Sequence, residues 1–155
     1  MAQQYIVITW DRLHRDGRTL AAHLAARLGE GRRFTGIVAI SRGGLVPAAI
    51  IARELDCRVI ETVSIVTYEE EARGRPEIAK LPVAAGDGTG WLVIDDLVDT
   101  GATARAVRAL LPKAHIAVLY AKPAGLPMAD DFITEVPQNT WLVFPWDARP
   151  ADRDV

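Results

Sequence analysis

Cysteine is almost missing from this chain: Cys57 is the only one among 155 residues. A lone cysteine excludes an intrachain disulfide and a cysteine-based metal site, and is compatible with a reducing compartment. Lysine is scarce too, three residues beside fifteen arginines, so any lysine at a strand end stands out. No apolar run approaches the ~18 residues of a spanning helix. The start, MAQQYIVITWD, lacks the basic region, apolar stretch and cleavage site of a signal peptide, so a cytoplasmic location is expected. An excess of charge of one sign is also lacking. The formal net charge of -2 gives no broad pull toward nucleic acid or anionic lipid. His14, His23 and His115 are dispersed, which argues against a histidine metal site. What is present is ordinary for a globular protein: 50% hydrophobic and 25% charged residues, enough for one domain, 1–155, with a sizeable core.

Strand-like and helix-like segments alternate. Residues 5–9 read as a short strand leading into a helix over 11–28, with Leu13, Leu20, Leu24 and Leu28 on one face and Gly29 and Gly31 after it. Residues 35–40 form a second, buried-type strand. The turn Ser41, Arg42, Gly43, Gly44 follows, then a helix over 45–55 with Pro47 in its first turn. Residues 58–66 are a third strand, 91–95 a fourth and 115–121 a fifth. A further strand is expected at 131–136, before a terminal segment over 137–155 that holds the tryptophan-rich QNTWLVFPWD. Between 67 and 90 the periodicity vanishes among five acidic residues, four glycines and two prolines. So long a connection is expected to be a structureless, mobile active-site loop. The alternation argues for a mostly parallel α/β sheet with its functional loops at the strand C-terminal ends.

The densest chemistry lies in WLVIDDLVDTGATARAV, residues 91–107. An apolar strand is followed by Asp95 and Asp96, then by Asp99, Thr100, Gly101, Ala102 and Thr103 opening into a helix. The free N–H groups and positive dipole end of that helix suit a phosphate. The adjacent carboxylates would repel a phosphate, so they are expected to serve a cation or sugar hydroxyls. The same rim of the sheet should collect Arg42 and Gly43 after the second strand and Lys122 after the fifth.

VIDDLVDTGATA resembles the signature of the type I phosphoribosyltransferases. YIVITWD, VAISRGGLVPAAIIAREL, AKPAG and NTWLVFPWD extend the resemblance over residues 5–147, to the purine-salvage branch of that family. The resemblance implies a central mostly parallel sheet flanked by helices, a small hood from the terminal segments and a long flexible loop. It also implies transfer of the 5-phosphoribosyl group of 5-phosphoribosyl 1-pyrophosphate (PRPP) to a 6-oxopurine (guanine, xanthine or, less well, hypoxanthine), with Mg2+. Residues 99–103 are the implied 5-phosphate loop, and Leu97 and Val98 are implied PRPP contacts beside it. Asp95 and Asp96 would take the ribose hydroxyls, and Asp96 or its water shell would engage Mg2+. Arg42 and the Gly43 N–H would face pyrophosphate, with the peptide bond before Gly43 in the cis form. Arg75, or Arg73, is the implied pyrophosphate contact from the loop.

For the base, Lys122 matches the family lysine that donates to the 6-oxo oxygen. Trp141 would stack on the purine, the Leu142 backbone with Asp147 would read C2, and Asp99 would be the general base. The family further implies a homotetramer and a possible peripheral contact with the inner membrane. The chain departs from the family pattern in a more acidic loop start, Glu69, Glu70 and Glu71, and in its tail ARPADRDV. A regulator binding nucleic acid is disfavoured by the lack of any basic cluster. A pyrimidine or adenine transferase is disfavoured by Lys122 and Trp141.

Overall fold

The computed structural model describes residues 3–67 and 74–147; Arg73, the three glutamates Glu69, Glu70 and Glu71, and the tail after Asp147 lie outside the described residues. Eight strands and three helices run in the order β1 (Gln4–Val7), α1 (Trp10–Leu28), β2 (Gly36–Ser41), α2 (Leu45–Glu54), β3 (Ile60–Thr67), β4 (Pro76–Lys80), β5 (Trp91–Val98), α3 (Ala102–Leu110), β6 (His115–Ala121), β7 (Asp131–Glu135) and β8 (Thr140–Val143).

Six strands form the main sheet in the order β4-β3-β2-β5-β6-β7. All pairs are parallel except β3 with β4. Buried on both faces, β2, β5 and β6 read as continuous apolar runs, as parallel central strands should. Alternate residues feed two cores. Ile37, Ala39, Leu92 and Ile94 pack with Leu13, Leu20 and Leu24 of α1 and Ile51 of α2. Val38, Ile40, Val93 and Ile116 pack with Val107 of α3 and Leu111 just beyond it. Helix α1 begins where Thr9 accepts a hydrogen bond from the Arg12 N–H (3.2 Å) and ends at Gly29.

The termini form the expected hood. Strands β1 and β8 pair in parallel, Tyr5 opposite Trp141 and Ile6 opposite Leu142. The hood rests on a buried polar contact within the main body. Tyr120 of β6 donates its hydroxyl to Asp16 of α1 (2.6 Å), and its ring lies against Phe144 just past β8. Burial, then the Asp16 carboxylate, hold the Tyr120 phenol well above its ordinary pKa, so it remains a donor.

Two expectations are corrected. The stretch 67–90 is not structureless: Pro76–Lys80 is strand β4, closing a hairpin on β3, and Val83–Ala85 is a short 3-10 turn. β4 is an edge strand with one residue half-buried and four exposed, so it carries no apolar alternation to read. The fourth expected strand does not stop at Asp95. It continues to Val98, which puts Asp95 and Asp96 within β5 rather than after it. Leu97 and Val98 continue the apolar pattern beyond the acidic interruption and hold the strand together. Among the described residues no helix is long and apolar enough to cross a membrane.

Tyr120→Phe removes the one hydroxyl donor to the buried Asp16 carboxylate among the described residues and should cost about 1–3 kcal/mol. A lowered urea midpoint with an unchanged denaturant slope is the expected result.

Candidate active site

From β2 the chain crosses to β3 on one side, and from β5 it crosses to β6 on the other. The adjacent C-terminal ends of β2 and β5 therefore flank the point where an open α/β sheet binds its ligand. The turn after β2 is packed hard against β5. A methyl group on Gly43 would lie 2.5 Å from Asp96 Oδ2, so the backbone runs directly along that carboxylate. The non-prolyl cis peptide bond here joins Ser41 to Arg42. This corrects the expected position before Gly43 by one residue: the strand ends at Ser41 and the bond follows it at once.

Asp95 and Asp96 are half-buried neighbours in β5. Asp95 accepts a hydrogen bond from the Asp96 N–H (2.9 Å). Burial raises both carboxyls above the ordinary carboxylate range, and the Asp96 charge raises Asp95 further. Asp147 adds repulsion at Asp96. Such a pair is stabilised in its ionised form by a cation or by hydroxyl donors.

Beyond β5, Gly101 takes a left-handed conformation (φ 87°) and begins α3 with no side-chain cap. Thr100 Oγ1 reaches only the Ala102 N–H, at 3.4 Å. A helix N-terminus whose cap residue is glycine and whose first N–H has only this one long side-chain partner is an anion cradle. A cavity of about 120 Å³ opens there, lined by Asp95 and residues 97–104, which includes Leu97, Val98, Asp99, Thr100, Gly101, Ala102 and Thr103. The Val98 side chain is buried, so only its backbone is free to serve a ligand.

This cavity shares Asp95 and Thr103 with a cleft of about 1130 Å³. Its walls include Ser41, Arg42, Gly43, Ser64, Thr67, Asp96, Trp146 and Asp147. Ser64 was not legible as a site residue. It lies in the alternating part of β3 with no motif around it, yet its hydroxyl is 2.8 Å from that of Ser41. Trp146 stacks on Phe144 with ring centroids 5.0 Å apart and also meets the edge of Trp10. Arg75 is exposed in the β3–β4 hairpin beside the Thr67–Pro76 pair and is not among the cleft walls. Another hollow, of about 440 Å³, lies beside residues 28–34 and Cys57, at the opposite ends of the strands.

At Asp99, a wall of the smaller cavity, Lys122 is buried and donates to Oδ2 (2.9 Å). Gln138, a residue with no sequence signal, donates to Asp99 Oδ1 (2.8 Å). Trp141 is 49% exposed in β8, opposite Tyr5 of β1, an open aromatic surface. Leu142 points its side chain into the core and leaves its backbone in β8. Asp147 accepts from the Phe144 N–H (2.8 Å), which closes the turn carrying Trp146. The structure thus gathers Arg42, Gly43, Asp95, Asp96, residues 97–103 and Asp147 around adjoining cavities, with Lys122 joined to them through Asp99.

The phosphoribosyl transferase domain pattern matches residues 9–153. A xanthine-guanine phosphoribosyltransferase of Gluconobacter oxydans is 58% identical over 94% of this chain and 86% of its own length. One from Desulfotalea psychrophila is 54% identical over 96% and 92%. The chain belongs to the xanthine-guanine phosphoribosyltransferase family. The fold agrees: the crystal structure of a purine phosphoribosyltransferase from Pyrococcus horikoshii superposes with a TM-score of 0.79 at 25% identity, covering 95% of this chain and 96% of that one.

For a phosphoribosyltransferase, the Gly43–Asp96 approach generates a sharp expectation. Gly43→Ala forces the turn and the Asp96 carboxylate apart, while the neighbouring Gly44 is itself pressed on the Ile40 and Ile94 carbonyls. PRPP binding measured by calorimetry should weaken by about tenfold or more, roughly 1.4 kcal/mol, with the circular dichroism spectrum unchanged.

Proposed function

We propose that this phosphoribosyltransferase moves the 5-phosphoribosyl group of PRPP onto N9 of a 6-oxopurine, releasing pyrophosphate. Guanine and xanthine are the main acceptors and hypoxanthine a lesser one, giving GMP, XMP and IMP. One observation carries this: an α3 N-terminus capped by a glycine, an acidic pair and a buried lysine paired with a half-exposed aspartate adjoin one another at the sheet's switch point.

Residues 99–103 hold the 5-phosphate with backbone N–H groups and the hydroxyls of Thr100 and Thr103. Asp95 and Asp96 accept hydrogen bonds from the ribose hydroxyls. Arg42 and the Gly43 backbone meet the pyrophosphate, and Arg75 would reach it from the hairpin. Bond cleavage at the anomeric carbon leaves an electron-poor, oxocarbenium-like sugar, as in glycoside hydrolysis. Mg2+ fits the donor set. Two adjacent carboxyls that burial keeps from ionising freely offer hard oxygen atoms, and Mg2+ takes one or two carboxylates together with substrate oxygens. Asp96 would hold the ion, directly or through water. Bound there, it supplies charge stabilisation to the leaving pyrophosphate.

Lys122 donates to the purine 6-oxo oxygen, Trp141 stacks on the ring, and Asp99 takes the purine proton as general base. The Leu142 backbone and Asp147 read the C2 substituent. Adenine is rejected because its 6-amino group is a donor facing a donor. The hairpin at residues 67–90 closes over PRPP and excludes water. The working unit is a homotetramer, supported by the exposed aliphatic side chains of Leu45, Leu81 and Val83. Its location is cytoplasmic, and a net charge of -2 gives no help to a peripheral contact with anionic lipid.

Pyrophosphate release with guanine, xanthine, hypoxanthine, adenine and uracil tests class and preference together. Turnover is expected with the three 6-oxopurines, and activity on adenine or uracil alone refutes the assignment. Asp99→Asn should lower kcat by about a hundredfold, the low end for a general base, while PRPP affinity changes little. An unchanged kcat removes Asp99 as the base.

A further inference from the structure

Gln138 lies in the link between β7 and β8, exposed, yet its carboxamide is held at both ends. Oε1 accepts from the Ala124 N–H (2.9 Å) and Nε2 donates to Asp99 Oδ1 (2.8 Å). The amide orientation is fixed by chemistry: a backbone N–H can only donate, so the oxygen faces Ala124 and the nitrogen faces the carboxylate. Lys122 Nζ holds the other oxygen, Oδ2, at 2.9 Å. The turn bearing Ala124 is itself packed on the Asp99 backbone, where a methyl group on Gly125 would meet the Asp99 carbonyl at 2.8 Å. Asp99 is thus gripped from below by the turn, on one side by a cation and on the other by a neutral amide.

We propose that Gln138 is the positioning residue of the proton-transfer step. It keeps the Asp99 carboxylate oriented when Lys122 turns to the 6-oxo oxygen. The inference rests on Asp99 being the general base. The Asp99 side chain is 50% exposed, so the surrounding protein does little to fix its rotation. Once the lysine is shared with the purine, the Gln138 amide alone, among the described residues, still anchors one oxygen, leaving Oδ2 open to the purine N–H. A neutral donor suits that task. A second cation there would stabilise the carboxylate as an ion pair and make it a weaker base. Gln138 also stands three residues before Trp141, so one short segment relates the stacking surface to the proton acceptor.

Gln138→Leu, one atom shorter but apolar and similarly bulky, removes both hydrogen bonds. It should lower kcat for guanine by about tenfold or more, the effect of one hydrogen bond to a charged group, with KM for PRPP within about twofold. The loss should shrink with 8-azaguanine, whose more acidic ring N–H needs less help from a base. In an Asp99→Asn background the same change should add less than about twofold, because a residue acting through Asp99 has nothing left to orient. Should Gln138→Leu fold poorly, Gln138→Glu keeps length and polarity but sets a carboxylate against Asp99, and is expected to slow turnover at least as much. Wild-type kcat in either variant, equal losses for both bases, or full additivity with Asp99→Asn overturns the proposal. A wild-type enzyme inactive on every 6-oxopurine, or an Asp99→Asn enzyme with normal turnover, removes both this proposal and the assignment of Asp99. Normal turnover in the Gln138 variants alone removes only the proposal.

Discussion

Along the centre of the sheet the Gly43 backbone runs so close to the Asp96 carboxylate that no side chain fits between them. That contact ties the end of β2 to the end of β5 at the one place where the chain leaves the two strands in opposite directions. Everything the site needs is arranged around it. The arginine turn stands on one side, the acidic pair forms the floor, and the α3 N-terminus opens within three residues of the end of β5. Glycine at 43 is a requirement of distance, and the buried aliphatic residues of β2 and β5 make that distance rigid.

The hood obeys a second constraint. A two-stranded sheet alone is marginal in water, so β1 and β8 depend on what they rest upon. Ile8, Leu142 and Phe144 enter the main core, and Phe144 bridges Tyr120 on one side to Trp146 on the other. The Tyr120–Asp16 bond then joins β6 to α1 beneath them. This chain of contacts carries Trp146 and Asp147 to the cleft wall while leaving Trp141 exposed. The hood's stability and the site's shape therefore share the same aromatic residues.

Much of this was legible in the sequence because it depends on local patterns. Apolar runs of strand length, periodic leucines in α1 and the D-T-G-A-T loop each announce their own structure. The alternation of strands and helices implied which strand ends would meet. Legibility failed where structure rests on partners distant in sequence. β4 is polar and exists because β3 offers it an edge, so no pattern within it could declare a strand. β5 continues through two carboxylates that locally resemble a loop, because flanking strands and the apolar Leu97 and Val98 hold it. Ser64 and Gln138 are common polar residues whose roles arise only from what lies across from them.

The internal pairing of the site bears on how it discriminates. In the free protein Lys122 and Asp99 satisfy each other, so the buried ammonium is not left unpaired. A 6-oxopurine carries an acceptor for the lysine and an acidic N–H for the aspartate. It can separate the pair and return a partner to each. Hydrogen bonds are exchanged rather than lost, and the net cost of opening the pair is small. Adenine offers the same N–H but a donor in place of the acceptor. Opening the pair for adenine would leave a buried ammonium facing an amino group, with one of the costliest groups in the site unsatisfied. With Lys122 and Asp99 in the roles proposed for them, selectivity for the 6-oxo group follows from the stability of the closed Lys122–Asp99 pair as much as from any contact in the complex.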